Sequence, residues 1–172
     1  MINLIFSSLY FILPAYIANT FPVLFKWLPL GAPINKQLLG ENKTWRGFYT
    51  GYFGALIVLF IQFYLQKSGT ILAATLLNYE NINLFLYAFL FGIGALTGDL
   101  IKSFFKRRLK IAPGQPWIPF DQLDLVIGSL IFLAPFYVPA WQVILTVLIC
   151  TPLLHLGANW IAYKTKLKKV WW

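Results

Sequence analysis

One cysteine, Cys150, and one histidine, His155, are all that the 172-residue chain offers of either residue. Within one chain this excludes a disulfide framework, a thiolate zinc site and a Cys/His catalytic pair. Charge is scarce as well: 11% of residues are charged against 59% hydrophobic, so water is not the principal solvent. Acidic residues are rarest, five against 14 basic ones, leaving a formal charge of +9. A surplus of this sign can mark a nucleic-acid binder, but here the basic residues flank apolar runs, the pattern of membrane topology. No nucleic-acid partner is expected. No internal repeat is evident either, which argues against a transporter built from inverted repeats.

What the chain has in abundance is long apolar runs. A spanning helix needs about 20 mostly apolar residues, and the runs predict spans over Leu4–Phe21, Phe48–Leu65, Ile82–Ile101, Leu123–Val138 and Trp141–Tyr163. The first begins near Asn3 with no basic leader and no small-residue cleavage site after it, and reads as a retained span. The fourth is short and contains Pro135. Pro139 and Trp141 mark a tight turn that makes the fourth and fifth spans an antiparallel hairpin. The apolar piece Ile71–Tyr79 is too short for a hydrocarbon core of ~30 Å and is expected at the interface. The expected fold is an all-α integral membrane protein, a bundle of about five transmembrane helices forming a single domain over residues 1–172.

With five spans, the segment before the second span, the segment between the third and fourth, and the C-terminal tail share one side. Lys26, Lys36, Lys43, Arg46, Lys102, Lys106, Arg107, Arg108, Lys110, Lys164, Lys166, Lys168 and Lys169 fall there, and only Lys67 falls opposite. The positive-inside rule makes that side cytoplasmic, with the N-terminus outside and the C-terminus in the cytoplasm. The expected location is the cell membrane, multi-pass.

Three of the five acidic residues, Asp99, Asp121 and Asp124, lie within one stretch that also holds Lys102, Lys106, Arg107, Arg108 and Lys110. Helical spacing puts Asp99, Lys102, Ser103 and Lys106 on one face, and Asp121 and Asp124 on another. Aspartate oxygens are hard ligands suited to magnesium. Carboxylates brought together from adjacent helix ends would make a metal site for a phosphate-bearing substrate, with Lys and Arg side chains on the phosphates. A second cluster, Gly40-Glu41-Asn42-Lys43-Thr44-Trp45-Arg46-Gly47, stands before the second span, where a helix N-terminus favours an anion.

Simpler explanations account for part of this. Anchoring and snorkelling explain Lys106–Lys110, and capping by Asn42 or Thr44 with interfacial anchoring by Trp45 explains much of the second cluster. They do not explain Asp99. A carboxylate at the end of an apolar helix is costly unless paired, and Gly92, Gly94 and Gly98 before it admit a close neighbour. The segment Ile111–Phe120, with Pro113-Gly114-Gln115-Pro116-Trp117, cannot be a regular helix and reads as an ordered loop over the site. His155 reads as a packed or hydrogen-bonded residue with no assigned role. Gln62 and Asn159 are strongly polar side chains inside spans, too few for a continuous polar pathway.

The string Gly98-Asp99-Leu100-Ile101-Lys102-Ser103, followed by Lys106-Arg107-Arg108, Pro113-Gly114 and Asp121-Gln122-Leu123-Asp124, resembles the CDP-archaeol synthase family. Asn42-Lys43-Thr44-Trp45-Arg46-Gly47 is similar to that family's other signature, and the resemblance extends over nearly the whole chain. It implies a magnesium-dependent cytidylyltransferase that joins CTP to an isoprenoid ether-lipid phosphate of the 2,3-bis-O-geranylgeranylglycerol type, giving a CDP-lipid and pyrophosphate. On that resemblance Asp99, Asp121 and Asp124 hold Mg2+ and act catalytically with Lys102. Lys102, Lys106 and Arg107 hold phosphates, Ser103 binds substrate beside them, and Asn42, Lys43, Thr44 and Arg46 contact CTP or its triphosphate. The active site is then cytoplasmic, where CTP is available, and a homo-oligomer is compatible with the pattern.

Phosphatidate cytidylyltransferases share the Pro-Gly and paired-Asp pattern but carry His-Gly-Gly after Pro-Gly and an acidic residue where Lys102 stands. The departure favours the archaeol branch while leaving phosphatidate as an alternative lipid substrate. Two readings of another class stand beside these: a small anion transporter, and a non-catalytic membrane scaffold.

Overall fold

A computed structural model describes residues 2–70, 75–112 and 115–166. Those residues form helices α1 (Ile2–Leu24), α2 (Lys36–Leu39), α3 (Trp45–Lys67), α4 (Leu84–Arg108), α5 (Phe120–Leu133) and α6 (Trp141–Lys164) and no strand beyond an isolated bridge between Pro33 and Thr44. Helices satisfy their own backbone, the requirement for crossing hydrocarbon. Of the six, α1, α3, α4 and α6 are long and apolar enough to span a membrane.

The order of long helices follows the apolar runs, with one correction at α5. It has 14 residues, a rise of about 21 Å, and ends at Leu133, so Pro135 lies beyond the helix rather than within it. Proline has no N–H to continue the ladder, and the chain turns there before α6. Of the apolar piece expected at the interface, residues 71–74 lie outside the described residues. Leu77 and Tyr79 are buried in the core instead, because Gln66 ties this return loop to α3 through Leu77 O (3.2 Å) and Tyr79 N (2.7 Å).

The bundle is arranged around α4, which packs on α1, α3 and α5, while α6 lies against α1 and α5. Phe11, Ile12, Leu59, Phe91, Val126 and Val147 form its dry centre, with the Phe11 and Phe91 rings edge-on at 5.3 Å. Gln62 is also buried, donating to Tyr10 O at 2.6 Å, so this polar residue joins α3 to α1 rather than lining a pathway.

The α4–α5 contact is backbone on backbone. A Cβ on Gly98 would run into the Asp124 carbonyl oxygen and sit 3.2 Å from Gly128 Cα, and one on Gly94 would sit 2.9 Å from Ser129 Cα. These glycines let two membrane helices approach until their ends share one site, the use of small residues expected where lipid supplies no hydrophobic drive.

Candidate active site

The ends of α1 and α4 meet the starts of α3 and α5 at one end of the bundle. The path from α1 to α3 is held in place by its own backbone: Ile34 N donates to Lys43 O (2.7 Å) and Arg46 N to Leu30 O (2.9 Å). Arg46 also clamps it from within, its Nη1 donating to Lys26 O and, at 3.1 Å, to Leu28 O. Thr44 caps α3 by accepting from Gly47 N at 3.2 Å. The capping explanation for Thr44 is therefore correct as far as it goes, yet Thr44 also lines the adjoining cavity. At the loop surface Lys36 and Glu41 pair at 2.6 Å, and the hydrogen bond and charge of Lys36 hold the Glu41 carboxyl below its ordinary range.

Three carboxylates converge on Lys102. Its Nζ lies 2.8 Å from Asp99 Oδ1, 2.7 Å from Asp124 Oδ2 and 3.3 Å from Asp121 Oδ1. Lys43 pairs with the other Asp99 oxygen, and Lys106 contacts both Asp121 oxygens at 3.0 Å while donating to Gln115 O at 2.6 Å. Asp121 further accepts from Trp117 N at 2.6 Å, and Asp124 Oδ1 from Leu125 N at 2.6 Å. Three aspartates and three lysines thus form one connected, formally neutral cluster, most of it withdrawn from solvent. An unpaired member at such burial would cost several kcal/mol, about 3–5 for breaking a buried pair. The cluster also fixes residues 115–117 against the end of α4, so the segment read as a loop over the site does close over it; Pro113 and Gly114 lie outside the described residues.

Two cavities flank the cluster and share Asn19 and Asp99. The larger, about 660 Å³, runs between the α1–α3 segment and α4 and is lined by Lys26, Asn42, Lys43, Thr44 and Arg46 among others. The smaller, about 260 Å³, lies between α4, α5 and α6 and is lined by Lys102, Lys106, Asp121, Asp124, His155 and Asn159 among others.

Among the described residues no three carboxylate, imidazole or thiol groups are arranged around a metal position. The point on which Asp99, Asp121 and Asp124 converge is taken by the Lys102 ammonium, a cation of unit charge. The donor set itself, three carboxylates reaching one cation, has the hard-oxygen chemistry that suits magnesium.

Every residue expected at the site from sequence lies in this region, but not all face it. Asp99, Lys102, Asp121, Asp124 and Lys106 are joined, and Asn42, Lys43, Thr44 and Arg46 face the larger cavity. Ser103 and Arg107 line neither cavity; the Ser103 hydroxyl donates to Asp99 O within its own helix at 2.8 Å. Sequence reasoning missed Asn19, Lys26, His155 and Asn159. A signal existed for the last two, polar residues four apart in an apolar helix and so on one face, while Asn19 and Lys26 gave none.

Fold and site together define a multi-pass, all-helical membrane protein with a charged chamber at one end of its bundle. The sequence profile of the CarS-like family, described as CDP-archaeol synthase, matches residues 1–172, and the chain belongs to that family. A CDP-archaeol synthase of Thermococcus gammatolerans is 41% identical, the match covering 97% of this chain and 96% of the relative. One of Methanococcus aeolicus is 36% identical, over 100% and 99%. A solved structure of an intramembrane enzyme for archaeal membrane lipids biosynthesis superposes with a TM-score of 0.70 at 30% identity, covering 88% of this chain and 92% of that one.

Proposed function

We propose that this protein transfers CMP from CTP to a phosphorylated isoprenoid glycerol ether lipid, releasing pyrophosphate and leaving a CDP-archaeol-type lipid in the membrane. The observation that carries the reading is the neutral Asp–Lys cluster set between a nucleotide-sized cavity and a smaller one. The larger cavity falls within the usual range of ligand sites, about 300–1,000 Å³, and the smaller below it.

A phosphate oxygen of the lipid attacks the α-phosphorus of CTP, a new P–O bond forms, and the bond to the β-phosphate breaks with pyrophosphate carrying off the electrons. The attacking monoester has its second pKa near 6, so at neutral pH it is largely a dianion and needs no side-chain base. Catalysis is then positioning and charge neutralisation. Two unit anions at 4 Å repel by about 4 kcal/mol even at an effective dielectric of 20, so bringing two polyanions together requires cations. Lys43, Arg46, Asn42 and Thr44 face the cavity assigned to the triphosphate, and Lys102 and Lys106 stand between the two substrates. Each lysine now held by an aspartate can exchange that partner for a phosphate. A magnesium ion held by Asp99, Asp121 and Asp124 would supply further neutralisation of phosphate charge.

The chamber is assigned to the cytoplasmic face, with the N-terminus outside. Its support is the placement of Lys26, Lys43, Arg46, Lys102 and Lys106 at the chamber end while Lys67 stands at the other end of α3.

Labelled CTP offered with the isoprenoid ether-lipid phosphate and with phosphatidate in parallel tests reaction and lipid together. The expected result is CDP-lipid and pyrophosphate from the ether lipid, and loss of turnover when magnesium is chelated; liposome flux without CTP turnover would favour a transporter. Lys106→Ala is expected to raise KM about tenfold with a smaller effect on kcat, read from steady-state kinetics, as befits a phosphate-binding cation.

A further inference from the structure

The α6 helix is unlike its neighbours. Only 17% of its apolar stretch is buried, against 44–50% for the other three spans, so α6 meets the bundle along a narrow stripe. That stripe is Val143, Val147, Thr151, His155 and Asn159, one residue every four. Its upper part is apolar and buried, and Thr151 is engaged by Tyr16 OH at 2.6 Å. Its lower part is polar. His155 and Asn159 contact each other, Nδ1 to Nδ2 at 3.2 Å, and both line the smaller cavity opposite Asp124 and Lys106. Their outward neighbours Leu153, Leu154, Trp160 and Ile161 are exposed apolar residues facing where lipid would lie.

We infer that the smaller cavity is the headgroup site of the acceptor lipid, and that His155, oriented by Asn159, donates a hydrogen bond to its glycerol-phosphate end. The inference rests on the transfer reaction proposed above and assigns one substrate to each cavity. The acceptor's tails stay in hydrocarbon, so its phosphate must be met between membrane helices. The smaller cavity is walled by α4, α5 and α6, whereas the larger is walled in good part by the segment between α1 and α3. At about 260 Å³ the smaller cavity suits a phosphate monoester and is tight for a nucleoside triphosphate. In the tautomer in which the Asn159 amide donates to Nδ1, the imidazole proton rests on Nε2 and the ring is a donor without a full charge. Lys106 and Lys102 on the opposite wall supply the positive charge, and the shared Asp99 and Asn19 place the two substrates side by side.

The test uses the chain's single histidine. In untagged protein labelled with 15N-histidine, the imidazole resonances should shift on addition of the isoprenoid glycerol ether phosphate in detergent micelles. They should stay in place on addition of CTP. His155→Ala should raise KM for that lipid phosphate about tenfold, the scale of a hydrogen bond to a charged group. KM for CTP should stay within about twofold, and His155→Gln, which keeps a donor, should recover part of the loss. If wild-type protein makes no CDP-lipid, the transfer reading fails. If it does, but the imidazole responds to CTP and not to lipid, or the two KM values rise together, the assignment of the cavity is overturned. The resonance experiment decides the matter even if the alanine variant does not fold.

Discussion

Asp124→Asn is expected to lower CTP turnover by about 100-fold or more, the cost typical of removing one preorganised charged group from a transition-state site, while the bundle stays assembled. The substitution is nearly isosteric. Lys102 keeps Asp99 at 2.8 Å and Asp121 at 3.3 Å, so no ammonium is left buried without a carboxylate. The Leu125 N–H still meets an oxygen if the amide is oriented toward it. What is lost is one negative charge at the point where the three carboxylates converge, and with it the balance that lets Lys102 leave for a phosphate. The measurement is steady-state turnover with labelled CTP alongside circular dichroism and thermal unfolding in detergent. Turnover near wild type would remove Asp124 from the chemistry, and lost helix would show that its role is assembly.

Gly98→Ala is expected to be as damaging by a different route. The added methyl would collide with the Asp124 carbonyl oxygen, a backbone atom that no rotamer change can move. Helices α4 and α5 must separate there, which places Asp99 and Asp124 further apart. A misplacement of about 1 Å in a catalytic arrangement costs on the order of 100-fold in rate. The overpacking adds about 1–3 kcal/mol of destabilisation, so thermal unfolding should shift down together with the rate. Gly157→Ala, on the exposed side of α6 where nothing lies within 4 Å, is the contrasting substitution and should not lower the unfolding temperature, since alanine favours a helix interior over glycine. Full activity in the Gly98 variant would refute the close-contact account of how the site is built.

These expectations also separate the enzyme from its rivals. An anion transporter needs polar groups along the length of its spans. Here Gln62 is consumed by Tyr10 O in the core, and Thr151 by Tyr16. The three aspartates and three lysines gather instead at one end, beside two cavities that meet at Asp99. A scaffold gives no reason for three aspartates to share one lysine.

The sequence by itself determined the class and the neighbourhood. Apolar runs of spanning length leave a backbone no choice but helix in lipid, so the helices α1, α3, α4 and α6 could be read directly. Asp99, Asp121 and Asp124 were legible because a carboxylate beside hydrocarbon is too costly to be incidental. The family signatures placed Asn42 to Arg46 with them. Tertiary structure alone decided how charges were paired. Lys102, read from sequence as a phosphate ligand, is also the cation that three carboxylates share. The reason is physical: buried charges are neutralised by whichever opposite charge the packing brings nearest, and that depends on how closely α4 and α5 approach, not on spacing along one helix. The same holds for Asn19 and His155, which lie in largely apolar stretches of sequence and line one cavity with the cluster in space.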